Sequence, residues 1–162
     1  MSATRNRILQ VIVVTLLVAT LSLKPEQAQA QEGIVVENPQ ALPDFGKSIT
    51  FTAKIKSSLP IQQASLLFRG VNEEVTRVET LQVAEDGSVT FVYDASLNVF
   101  PPFSSIVFWF QATLSDGKTY TSDSTQFQYN DDRFPWRDIS QANVTIHWYA
   151  GDDSFGTTAL DS

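Results

Sequence analysis

Cysteine is absent from this chain of 162 residues, and histidine occurs once, at His147. Without cysteine there is no disulfide staple, no thiolate zinc site, no cysteine nucleophile and no lipid-modified N-terminal cysteine. A single histidine excludes a multi-histidine metal centre. Basic residues are few as well, with 11 Lys and Arg against 18 Asp and Glu. After residue 30 the balance is 8 bases to 17 acids, a net charge of −9. Such a surface repels phosphate backbones and anionic headgroups, which argues against nucleic-acid binding and membrane-surface adsorption. Charged residues make up only 18% and hydrophobic residues 43%, the balance of a globular chain.

What is present begins with a targeting pattern. Arg5 and Arg7 precede an apolar stretch over residues 8–23, which is 16 residues long. That is short of the roughly 20 residues that span a bilayer. Ala28-Gln29-Ala30 follows, with small side chains at both positions that signal peptidase reads. A helical signal peptide over residues 1–30 is expected, recognised at Ala28 and Ala30 and cleaved after Ala30 to leave Gln31 first. An uncleaved anchor is the alternative. Export follows from the cleaved reading, to a secreted, periplasmic or cell-envelope location.

The next hundred residues alternate with period two. Ile49, Phe51, Ala53 and Ile55 share one face of residues 48–56, and Thr50, Thr52 and Lys54 the other. This is the pattern of a half-buried strand. Val89, Phe91 and Tyr93 form a second inward row, and Ile106, Phe108, Phe110 and Ala112 a third. Residues 34–36 and 64–68 read as further strands. Asp86-Gly87 predicts a hairpin joining residues 75–83 to the Val89 strand. Asp116-Gly117 predicts a turn into one segment over residues 118–129. Residues 38–46, 57–60 and 94–105 read as turn-rich connections. About seven short strands without helical periodicity predict an all-β fold. The expected form is an immunoglobulin- or fibronectin-type antiparallel sandwich over residues 31–129, with a barrel as the alternative. Aromatics replace disulfides as staples, because all 18 Phe, Trp and Tyr residues lie after residue 30.

The character changes at Asn130. Residues 130–142 read as a linker held down by Phe134 and Trp136. Residues 143–149 alternate again, with Val144, Ile146 and Trp148 opposing Thr145, His147 and Tyr149. Asp153 or Ser154 is a candidate N-cap for a short helix over residues 155–160. This strand and helix, residues 143–162, are expected to open a second domain, since each needs a partner to bury its apolar face.

Several residues carry candidate chemistry. His147 has no obvious companions for a closed zinc site, which takes about four ligands, so it is expected at an ordinary surface or interface. Asp131-Asp132 and Asp152-Asp153 lack the alternating register of a calcium loop and are expected in solvated turns and caps. Trp109 points away from Phe108 and Phe110. It could stack on a sugar ring, anchor a partner, or lie under loops or the next domain. Phe134, Trp136 and Trp148 are expected to bury at the junction. Asn143-Val144-Thr145 matches the N-glycosylation pattern by chance. No residue is expected to hold a metal or cofactor.

One stretch is specific. Asn130-Asp131-Asp132-Arg133-Phe134-Pro135-Trp136, followed by Asn143-Val144-Thr145-Ile146-His147-Trp148-Tyr149 and Gly151-Asp152, resembles the domain junction of bacterial exported peptidase MA-like proteins. In that family a β-sandwich precedes a gluzincin-type zinc metallopeptidase domain. The likeness spans most of residues 31–162, but only the junction carries it. The family's catalysis needs His-Glu-x-x-His on a helix, where two imidazoles hold zinc and the glutamate acts as base. That motif is absent here, so no catalytic residue carries over. The resemblance implies a non-catalytic accessory or spacer module, the N-terminal part of a peptidase MA-like protein, whose partner is a downstream peptidase-like domain. The alternative is a stand-alone extracytoplasmic module that binds carbohydrate or protein through the Trp109 face.

Overall fold

The computed structural model describes residues 33–97 and 100–161. The expected signal cleavage residues Ala28, Ala30 and Gln31 lie outside the described residues. No helix among the described residues is long and apolar enough to cross a membrane.

Eight strands build the sandwich: β1 (Ile34–Asp44), β2 (Ser48–Ser57), β3 (Ile61–Gly70), β4 (Arg77–Leu81), β5 (Ser88–Asp94), β6 (Ser104–Leu114), β7 (Thr119–Thr121) and β8 (Thr125–Tyr129). One sheet has the order β1-β2-β5. The other has the order β4-β3-β6-β7, with β8 also paired to β6. All pairings are antiparallel. The fold is thus the expected immunoglobulin/fibronectin-type sandwich, as two open sheets and not a barrel.

The alternating rows sit where period two puts them. Ile49, Phe51, Ala53 and Ile55 of β2 are buried against Ala64, Leu66 and Phe68 of β3 and against Ile106, Phe108, Phe110 and Ala112 of β6. Phe51 bridges the layers, its ring centroid 5.0 Å from Phe68 and 5.2 Å from Phe108. Tyr129 is fully buried and its hydroxyl accepts the Gly46 N–H at 2.8 Å, which ties the β1–β2 turn to the end of β8.

Three local expectations are corrected. First, residues 38–44 are strand, not turn. β1 runs through Asn38-Pro39 by a bulge, with Asn38 at φ 49° and the register shifting between Glu37 and Gln40. An edge strand can hold proline because its missing N–H faces away from the sheet. Second, the Asp86-Gly87 turn does not close a hairpin between neighbouring strands. β4 pairs with β3 and β5 with β2, so the turn carries the chain from one sheet to the other. Gly87 permits this, since its carbonyl accepts the Ile55 N–H at 2.8 Å. A Cβ on Gly87 would lie 2.5 Å from the Ile55 oxygen. Third, residues 118–129 form two pieces. Thr121 pairs with Gln111 but Thr125 with Phe108, a slip of one residue. The Ser122 hydroxyl fills the gap by accepting the Phe110 N–H at 3.0 Å.

Beyond the sandwich lie β9 (Arg137–Gln141), β10 (Val144–Trp148) and α1 (Asp153–Leu160). β9 falls within the stretch read as a linker and forms a hairpin with β10. The N-cap of α1 is Asp152, not the expected Asp153 or Ser154. Its Oδ1 accepts the Ser154 N–H at 3.0 Å. The helix lies so close to the hairpin that only glycine fits at 156, where a Cβ would meet the Trp148 ring at 2.5 Å.

Candidate functional site

The two outer sheet faces differ in kind. On the β1-β2-β5 face the charges pair: Lys56 with Glu37 at 2.8 Å and Lys54 with Asp86 at 3.6 Å. On the other face, the residues alternating with the buried row of β6 are Ser105, Val107, Trp109, Gln111 and Thr113. Their cross-strand partners on β3 are Leu67 for Trp109, Ser65 for Gln111 and Arg69 for Val107. On β7 and β8 they are Thr119, Thr121, Gln126 and Gln128. Val78 continues the Leu67 row onto β4. No carboxylate occupies any of these paired positions.

Trp109 is half-buried at the centre of this face. The β7–β8 bulge lies beside it, with residues 122–124 set against Trp109 and Phe110. No other aromatic ring packs on it among the described residues, in contrast to Trp136 and Trp148. The polar neighbours are held in place. Gln111 Nε2 donates to Thr121 Oγ1 at 3.2 Å, the Thr113 and Thr119 hydroxyls share a bond at 2.9 Å, and the Gln128 amide donates to the Ser105 hydroxyl. Each still has unused donors or acceptors. The one cation, Arg69, is occupied, donating to the Glu73 carbonyl at 2.6 Å and the Val71 carbonyl at 3.3 Å.

The junction gathers a second set of rings. Phe103 stacks on His147, centroids 3.9 Å apart at 15°, and meets Trp136 edge-on at 5.1 Å. Phe134 stacks on Tyr149 at 4.4 Å, and both meet the edge of Trp136. Asp131 is buried and grips Arg133, accepting from its Nε and Nη2 at 2.8 Å each. The guanidinium lies 4.8 Å from the Phe45 ring centre. That hydrogen-bonded pairing with Arg133 holds the Asp131 carboxyl below its usual range. Asp152 is lowered as well, first by its bond to the Ser154 hydroxyl.

Trp148 is buried against α1 and Trp136 is half-buried, while Phe134 stays 41% exposed. His147 is an interface ring. Trp109 stands apart from all of these. Phe103 was missed, because a ring in a proline-rich loop carries no periodicity. Its one signal is placement just after Pro101-Pro102, where the chain must turn. Among the described residues no group of three or more His, Asp or Glu could hold a metal ion.

No protein-family model and no curated protein matches the sequence. Solved structures similar to this chain include one titled as a myokine, at 10% identity and a TM-score of 0.46, covering 60% of this chain and 97% of that one. A carbohydrate-binding module family 56 beta-1,3-glucan binding domain has 13% identity and a TM-score of 0.38, over 57% of this chain and 98% of that one. Catalytically inactive OgpA from Akkermansia muciniphila, in complex with an O-glycopeptide substrate, has 14% identity and a TM-score of 0.45, over 67% of this chain and 32% of that one. Each likeness is partial, and the assignment of fold here stands on strand order and register.

Proposed function

We propose that this protein is a non-catalytic, exported module that binds neutral carbohydrate on the outer face of β3, β6, β7 and β8. The observation that carries the reading is Trp109, outward among the amide and hydroxyl side chains of Gln111, Thr113, Thr119, Thr121, Gln126 and Gln128. A pyranose ring offers an apolar C–H face and a rim of hydroxyls. An indole accepts the first by dispersion and its ring quadrupole. Amide and hydroxyl side chains both donate and accept, which suits the second. The missing carboxylates remove the pair of acids that glycoside hydrolysis requires, which supports binding without cleavage at this face.

The test is affinity electrophoresis through gels containing soluble neutral glucans, mannans or xylans. We expect retardation of the native protein by at least one polymer. Trp109→Ala should weaken it at least ~10-fold, as expected for loss of a stacking anchor, with melting temperature held within a few degrees. Equal retardation of the variant, or none for the native protein in any polymer, overturns the reading.

The junction favours a second reading. The Phe103–Trp136 and Phe103–His147 contacts, with the Arg133 guanidinium over the Phe45 ring, tie the sandwich to the connecting segment and the β9–β10 hairpin. This suits the spacer role that the peptidase MA-like resemblance implies, in which the sandwich orients a peptidase-like domain. The two readings use different surfaces. Trp109→Ala tests the first without touching the second.

A further inference from the structure

One polar side chain on the outer face of the larger sheet is sunk below its neighbours. Ser65 of β3 points outward with Leu67, between the inward Ala64 and Leu66, yet it is only 7% exposed. Serine is short, and the side chains around it are longer: Gln63 and Leu67 along β3, and Gln111 across on β6. Trp109 lies on the diagonal, where cross-strand neighbours stay within reach of a large aromatic ring. The Ser65 hydroxyl therefore sits at the floor of a notch beside the indole.

The fold supplies this hydroxyl with no partner. It makes no hydrogen bond among the described residues. The Gln111 amide, directly across the strand, is turned the other way and donates to Thr121 on β7. Buried hydroxyls in folded proteins are paired in the great majority of cases, and leaving one unpaired is costly. Alanine would fill the same space without that cost. A partner from outside the chain accounts for the serine.

We infer that Ser65 sets specificity on this face by taking the hydroxymethyl group of a hexopyranose stacked on Trp109, so that the site favours hexose polymers over xylan. The inference rests on the carbohydrate reading above. A chair laid on the indole holds its equatorial hydroxyls near the plane of the ring, pointing outward to the rim. An axial hydroxyl on the stacked side would lift the ring off the indole. The exocyclic hydroxymethyl carries its hydroxyl on a rotatable arm, which can dip beside the ring to the notch floor. There it can both donate to Ser65 and accept from it. A xylose residue has the same equatorial ring but lacks that arm, and it leaves the serine unpaired. A site built to hydrogen-bond a substrate hydroxyl discriminates strongly against the analogue without it.

Affinity electrophoresis of the full chain tests this, with a soluble glucan or mannan run against xylan and with Ser65→Ala beside the native protein. We expect the native protein to bind the hexose polymer at least ~5-fold more tightly than xylan. Ser65→Ala should lose about 2- to 10-fold toward the hexose polymer and nothing toward xylan. Its melting temperature should stay level or rise, because an unpaired buried hydroxyl has been replaced by a methyl. If no polymer retards the native protein, or Trp109→Ala is retarded equally, the carbohydrate reading fails and this inference with it. If retardation depends on Trp109 but xylan matches the hexose polymer, this inference alone is overturned. The same holds if Ser65→Ala is retarded like the native protein, which leaves the hydroxyl to a water molecule. A lowered melting temperature in Ser65→Ala also overturns it, because the hydroxyl then serves the fold.

Discussion

Replacing Phe103 by alanine removes a ring that lies between the sandwich and the β9–β10–α1 unit. Two contacts go with it, the stack on His147 at 3.9 Å and the edge contact to Trp136 at 5.1 Å. Ring pairs of this kind contribute about 0.5–1.5 kcal/mol each beyond area burial, so the loss is about 1–3 kcal/mol. Phe103 also sits at φ 64°, in the left-handed region that favours glycine. Alanine keeps that strain while glycine relieves it, so Phe103→Gly should be the more stable variant by up to about 1 kcal/mol. The loss falls on the smaller unit, because β2, β3 and β6 bury their own core without Phe103. The assay is native-state hydrogen exchange read by residue. Amides of β9, β10 and α1 should exchange about 5- to 150-fold faster in Phe103→Ala, while β2 and β6 amides keep their protection. Unchanged exchange in β9 and β10 would refute the docking role. So would loss of protection in β2 and β6 in step with the hairpin, or a glycine variant weaker than the alanine one.

Gly87→Ala and Gly117→Ala make a matched pair, with φ values of +86° and +81°. The first would press a Cβ onto the Ile55 carbonyl, while the second meets open space. Thermal melts should show a loss beyond about 2 kcal/mol for Gly87→Ala and about 1 kcal/mol for Gly117→Ala; equal losses would remove the close-approach argument. Gly156→Ala should lower the stability of the C-terminal unit, read by tryptophan fluorescence, although Gly to Ala in a helix ordinarily gains about 1 kcal/mol. The reason is the Trp148 ring beneath position 156. Acid should also destabilise the fold. Glu73 and Asp131 are held low by hydrogen bonds from Arg77 and Arg133, and Asp86 and Asp94 by bonds from Ser88 and Ser96. Their folded values lie below the unfolded ones of about 4. The stabilisation is therefore complete above about pH 5 and is lost as pH falls through the depressed values. A melting temperature that rises on acidification from about pH 5 to 3 would contradict this linkage.

The rows of β2, β5 and β6 were legible because period two leaves one face apolar and the other polar. The order of strands was not. The Asp86-Gly87 pair marks a tight turn equally well within one sheet or between two. What decides is the approach of Gly87 to the Ile55 backbone, a contact between residues 32 positions apart. Asn38-Pro39 misled for a related reason. Proline interrupts a central strand but not an edge, and edge position depends on the whole sheet. β9 was hidden because its alternation is weak, with Ile139 the only apolar residue in Arg-Asp-Ile-Ser-Gln. At the site, the outward direction of Trp109 followed from its place between Phe108 and Phe110. Its amide and hydroxyl neighbours did not, since they come mainly from β7 and β8, strands whose register no local signal fixes.

The distribution of rings bears on which surface has been shaped for a ligand. The chain has 11 Phe, 4 Tyr and 3 Trp and no cysteine, so aromatic packing must do what a disulfide does elsewhere. Stability accounts for most of them. Phe51, Phe68, Phe100, Phe108, Phe110 and Tyr129 are almost wholly buried between the sheets. Phe103, Phe134, Trp136 and Tyr149 pack on one another at the junction. Trp109 belongs to neither group. It makes no ring contact among the described residues, lies on the polar side of its strand, and sits beside the β7–β8 bulge. A threonine at 109 would serve the sheet equally well, as Thr113 does two pairs along the same strand. On the proposed reading, the indole supplies a flat apolar surface among hydrogen-bonding side chains to the ligand.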